Sequence, residues 1–175
     1  MKRVVDFGFY FMAGFYVFLM LDLFFRFFRF SSGLDEGYTY NLIPFKIIWG
    51  YVGGGISSSL AGIVQNVLGN ILIFIPFGIY LQIFLKNKGV LRSFLICLGT
   101  SVSVEVVQFV SGRGFADVDD LILNGLGGIF GILGFKLLLR ILGDGERVRR
   151  VVSVGSIVVG GAVFLVYFLP VIFIQ

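Results

Sequence analysis

The sequence predicts an all-α fold, a polytopic membrane bundle of about five transmembrane helices, and three observations lead there. Of the 175 residues, 58% are hydrophobic and 14% charged, with a mean hydropathy of +1.01. A soluble domain is about half apolar and about a quarter charged. A bilayer core takes roughly 20 apolar residues per helix, and five stretches of this chain supply that length. The 22 Phe and 25 Gly suit lipid-facing surfaces and closely packed helices.

The first stretch, about Val4–Phe25, follows Met1, Lys2 and Arg3 as a signal peptide's apolar run follows its basic start. It is too long for such a run and no A-x-A-like site follows, so it is expected to stay as an anchor. Residues 26–59 then form a half-apolar external segment between helices 1 and 2. It holds Asp35, Glu36, Pro44 and the glycines 53–55, and Phe45, Ile47, Ile48, Trp49 and Tyr51 give it an interfacial character rather than that of a free loop. An extra half-span would hide around Trp49. The remaining spans are about Leu60–Leu85, Leu91–Val110, Val118–Leu142 and Val151–Ile174, making residues 1–175 one membrane domain.

Charge sets the expected direction. With the N-terminus inside, Lys2, Arg3, Lys86, Lys88, Arg92, Lys136, Arg140, Arg147, Arg149 and Arg150 fall on the inner side. Only Arg26, Arg29, Lys46 and Arg113 fall outside. The positive-inside rule therefore predicts N-in, C-out.

Several polar residues sit where a membrane tolerates them poorly, at a cost of about 2.5 kcal/mol upward for a charge. On the third span Cys97, Ser101, Glu105 and Gln108 share one stripe. On the fourth, Asp117, Asp120 and Asn124 run into Gly127, Gly131 and Gly134, a stripe acidic at its outer end and small-sided through the membrane, and Gly127, Gly128 and Gly131 read as a helix-packing face. On the second, Asn66 and Asn70 lie four residues apart, with Pro76, which removes a backbone donor and is expected to kink the helix, and Gly78 deeper. Asn66, Asn70, Glu105, Gln108, Arg113, Asp117, Asp120 and Asn124 thus share the outer half of the bilayer and form the candidate ligand-binding set. Each also has a plain structural role: interhelical amide bonds, a Glu105–Arg113 pair, an Asp22–Arg26 pair, or acids at a helix start for Asp119 and Asp120.

What is missing excludes whole classes. The chain has no histidine, which removes His-dependent lipid phosphatases, H-E-x-x-H metalloproteases and Ser–His intramembrane proteases. No serine precedes a lysine by three residues. Phe130 breaks any glycine-rich nucleotide loop around Gly125 and Gly127. Cys97 stands alone, so no disulfide or thiolate metal site can form. No basic stripe favours nucleic acid. Five spans without internal repeats argue against a transporter of inverted halves.

Three segments, in order, resemble the VanZ-like family. Asn41-Leu42-Ile43-Pro44-Phe45 resembles its N-L-x-P-F segment. Gly69-Asn70 through Phe74, Pro76 and Gly78 resembles its G-N-x-x-x-F-x-P-x-G helix. Glu105-x-x-Gln108, Arg113, Asp117-x-Asp119-Asp120, Asn124 and Gly127 resemble its closing signature, with Asp117 four residues after Arg113 where many relatives have three. The region spans residues 41–134.

The resemblance implies a multi-pass protein of the bacterial cell membrane whose namesake gives low-level resistance to the glycopeptide teicoplanin. Its expected partners are membrane lipids and, further, a lipid-linked cell-wall precursor or lipoglycopeptide. The expected function is a non-catalytic envelope module with Arg113 pairing an anionic group and Asn66, Asn70, Gln108 and Asn124 supplying hydrogen bonds; no cofactor is expected. The alternative is a Mg-dependent intramembrane enzyme on a polyprenyl- or lipid-linked phosphate. There Asp117, Asp119 and Asp120 would hold the metal and Glu105 would be the catalytic base.

Overall fold

The structure, a computed structural model, describes residues 2–25, 40–46, 49, 60–85, 89–111 and 116–173. Its elements are α1 (Lys2–Phe25), β1 (Tyr40–Asn41), α2 (Leu60–Phe84), α3 (Val90–Ser111), β2 (Ala116–Asp117), α4 (Val118–Leu142) and α5 (Gly145–Phe173). Among the described residues, five helices are long and apolar enough to cross a membrane. Both α2 and α4 have 25 residues, about 37 Å at the helical rise, against a hydrocarbon core of about 30 Å. Their outer surfaces are apolar: along α2, Leu60, Val64, Leu68 and Leu72 repeat every four residues and are each 44–59% exposed. In water such a stripe would be costly; in lipid it is the ordinary outer face of a span.

The helices begin and end close to the expected places, with one clear difference. α5 starts at Gly145, six residues before the expected Val151, because hydropathy marks the slab and not the helix. Asp144 starts it: its Oδ1 accepts from the Glu146 amide at 3.1 Å and its carbonyl from the Val148 amide at 3.1 Å. Just before it, Gly143 ends α4 with φ 68°, donating its amide to the Leu139 carbonyl at 2.9 Å. That left-handed turn is one a side chain would strain. α2 runs through Pro76 as one continuous helix.

The chain divides into two compact units. In the first, residues 1–23 and 137–175, α1 meets α5. Met12 lies against Gly160, and Phe15 and Phe164 have ring centroids 5.9 Å apart. The Arg149 guanidinium stands 4.9 Å from the Phe9 ring centre and 5.3 Å from that of Tyr10, so the aromatic faces help to accommodate its charge.

The second unit, residues 24–136, packs α2, α3 and α4 on one another. Its seam is made of glycine. A Cβ added at Gly127 would collide with the Ile71 carbonyl, one at Gly131 with the Ile75 carbonyl, and one at Gly78 with the Gly128 carbonyl. At Gly128 it would meet the Cys97 Sγ at 2.7 Å. The α2 and α4 backbones therefore touch, as small residues allow between membrane helices. Gly134, on the same small-sided stripe, has nothing within 4 Å of an added Cβ, so the seam stops at Gly131.

Candidate functional site

The polar residues of the second unit gather where α2 and α4 begin and α3 ends. Asp117 precedes the first residue of α4 and caps it, its Oδ1 accepting from the Asp119 amide at 2.9 Å. The Asp117 amide donates to Glu105 Oε2 on α3 at 2.9 Å. Asp120, one turn into α4, accepts from Asn70 Nδ2 of α2 at 2.5 Å and also bonds the Asn66 side chain. Three helices thus meet at one level through carboxylates and amides.

A fourth piece comes from the segment before α2. Tyr40 and Asn41 pair in parallel with Ala116 and Asp117, and Asn41 Nδ2 donates to Asp117 Oδ1 at 3.0 Å. The chain then turns at Pro44 and Phe45, closed by the Lys46 amide on the Ile43 carbonyl at 3.3 Å. Phe45 has φ 59°, the left-handed third position that a type II turn usually gives to glycine or asparagine. Its amide donates to Asp119 Oδ1 at 2.5 Å. The Asn41–Phe45 motif is therefore a clip on the start of α4.

Below this layer a buried polar line continues down α3. Asn124 Nδ2 donates to Ser101 Oγ at 2.9 Å, and at the far end Gln82 Nε2 donates to Ser93 Oγ at 2.6 Å. Ser93, Cys97 and Ser101 are fully buried, and Glu105, next on the four-residue spacing, is 9% exposed. Three buried acceptors on this line have no hydrogen-bond partner among the described residues: Glu105 Oε1, Asn124 Oδ1 and Gln82 Oε1. A buried acceptor left unmet costs about 1–3 kcal/mol, so each is a place where a donor would be welcome.

The expected set is partly gathered. Asn66, Asn70, Glu105, Asp117 and Asp120 meet in one layer, and Asn124 sits one turn deeper beside Ser101. Gln108 is turned elsewhere: its Nε2 donates to the Phe24 carbonyl at 2.9 Å, meeting one of the carbonyls left over at the end of α1. Arg113 lies outside the described residues, as does Arg26, so neither the Glu105–Arg113 nor the Asp22–Arg26 pair can be placed. Among the described residues no three Asp, Glu, Cys or His side chains stand as a metal-binding group. Asp117, Asp119 and Asp120 each give a carboxylate oxygen to a different donor.

Sequence reasoning treated Asp119 only as a helix-start acid or metal ligand. It missed the bond to the Phe45 amide, whose partner is 74 residues away. It also missed Gln82 and Ser93, although Ser93 lies four residues before Cys97 and extends the same stripe.

Five membrane-length helices with apolar outer faces and a buried polar layer at one end define a multi-pass membrane protein. The chain belongs to the VanZ/LLP1 family, whose sequence model matches residues 9–140. It is 31% identical over 106 residues to Protein VanZ of Enterococcus faecium, across 61% of this chain and 65% of that protein. The chain thus covers a little less than two thirds of that relative's length. No solved structure matches it.

Proposed function

We propose that this protein is a non-catalytic module of the bacterial cell envelope that holds a polar headgroup at the outer leaflet. The headgroup would belong to a membrane lipid, a lipid-linked cell-wall precursor or a lipophilic glycopeptide. The observation that carries this reading is Glu105 Oε1, a nearly buried carboxylate oxygen without a partner among the described residues. It stands in a layer where Asn66, Asn70 and Asp120 already converge. Such an acceptor suits hydroxyl or ammonium donors, the groups that sugars and amino-bearing headgroups present. Arg113, which follows α3 in the chain, would add a cation for a phosphate. The family resemblance extends the reading to low-level resistance to teicoplanin or lipoglycopeptides, by altered access to cell-wall precursors. The positive-inside count supports N-in, C-out, which puts the polar layer outside.

Growth of an expressing strain under a lipoglycopeptide tests this. Glu105→Gln keeps an oxygen for the Asp117 amide but turns the free acceptor into a donor. It should accumulate in the membrane at the wild-type level and lose the protection. The Glu105→Gln/Arg113→Gln double substitution should also accumulate and stay inactive. Full recovery of activity in the double variant would make the two residues a structural pair and end the ligand reading. For direction, a reporter fused after Arg150 should read cytoplasmic and one after Gln175 external; a cytoplasmic C-terminus would overturn N-in, C-out.

A further inference from the structure

The clip at the start of α4 has two unlike sides. Toward the helices it presents polar groups, the Asn41 side chain to Asp117 and the Phe45 amide to Asp119. Away from them it presents Tyr40, Leu42 and Ile43, exposed by 68, 70 and 61%, and Phe45 by 41%; Trp49, whose amide bonds the Phe45 carbonyl, is 69% exposed. Tyr40, Leu42, Ile43 and Trp49 thus leave most of their apolar surface outside the protein's own packing, and Phe45 leaves part of its ring there. Phe45 sharpens the point, because its left-handed φ strains any residue with a Cβ. Glycine would relieve the turn, so a bulky aromatic there implies work for the ring beyond the bundle.

Position names the partner. The clip is hydrogen-bonded to the residues immediately before Val118, where the α4 span begins. It therefore lies at the edge of the apolar slab, continuous with the exposed apolar faces of the spans. Irregular backbone does not sit in hydrocarbon exposed to lipid, whereas tyrosine and tryptophan favour the headgroup boundary. We propose that Tyr40, Leu42, Ile43, Phe45 and Trp49 form an interfacial hook. Its aromatic and aliphatic side chains are seated among lipid headgroups and upper acyl chains, and Asp117 and Asp119 hold it down. The assignment does not depend on which side of the membrane the hook faces, nor on the ligand proposed above.

Trp49 is the protein's single tryptophan, so its fluorescence reports on this segment alone. In vesicles of the unmodified protein, its emission should be blue-shifted. It should lose most of its intensity when the lipids carry bromine on the upper acyl chain, and much less with bromine near the chain ends. Aqueous acrylamide should quench it weakly. A second reporter, Tyr40→Trp in a Trp49→Phe background, should behave alike. Strong acrylamide quenching without bromolipid quenching would place the segment in water and overturn the proposal. Protection from both quenchers would mean that protein, another copy or another chain, covers the hook, and would overturn it equally.

Discussion

The two halves of α4 use the same neighbours in opposite ways. From Asp117 to Asn124 the helix meets α2, α3 and the Asn41–Phe45 clip through side chains that carry hydrogen bonds. From Gly127 to Gly131 its glycines bring its backbone against the α2 backbone and against the Cys97 side chain of α3. The glycine half fixes the distance between the helices, and nothing there can adjust. The polar half sits on a scaffold already set, and its groups retain unmet hydrogen-bonding capacity. Hydrogen bonding by polar side chains and close packing by glycine thus follow one another along the helix, with Asn124 and Gly127 less than one turn apart.

That contrast is most directly broken at Gly131. In Gly131→Val the new side chain meets the Ile75 carbonyl, which belongs to backbone and has no room to give. Overpacking of this kind costs about 3 kcal/mol or more where relief is impossible. The expected result is a large loss of folded protein and a clear fall in thermal unfolding temperature in detergent. Asn70→Leu takes one amide from Asp120 and leaves Asn66. It should cost about 1 kcal/mol, the order found for hydrogen bonds between membrane helices. If Asn70→Leu proved more damaging than Gly131→Val, the division of labour along α4 would be reversed. Gly134→Ala sharpens the comparison from the other side. With open space around it, alanine should leave stability unchanged or raise it by up to about 1 kcal/mol through helix propensity.

Membrane physics explains which parts could be read in advance. Spans 2 to 4 were legible to within a residue or so because a long apolar run in a lipid slab has few alternatives to a helix. The glycine seam was legible as far as Gly131, since spacing puts Gly127 and Gly131 on one face. Gly134 continues the spacing but not the contact, because a linear pattern carries no record of where a neighbouring helix is close enough to touch. The convergence of Asn70, Glu105 and Asp120 followed from placing three spans at one depth. Their individual partners did not follow: Asn70 bonds Asp120 50 residues along the chain, and Glu105 bonds a backbone amide, that of Asp117, which carries no side-chain signal. Gln108 shows the limit: its place on the stripe was right, yet the Phe24 carbonyl is a backbone group that no motif announces. The early start of α5 shows another, since a polar first turn is invisible to hydropathy.

The central claim is that the carboxylate and amide layer is a ligand site and not only a brace. Native mass spectrometry of protein released from lipid nanodiscs tests it most directly, by comparing retained lipid in the wild type and Glu105→Gln with unfolding temperature measured alongside. The account predicts that the wild type keeps a lipid with hydroxyl or ammonium donors in its headgroup. It predicts that Glu105→Gln loses that lipid while unfolding at nearly the same temperature. Equal retention by both proteins, with only the unfolding temperature lowered in Glu105→Gln, would contradict it and leave Glu105 as a structural tie between α3 and α4.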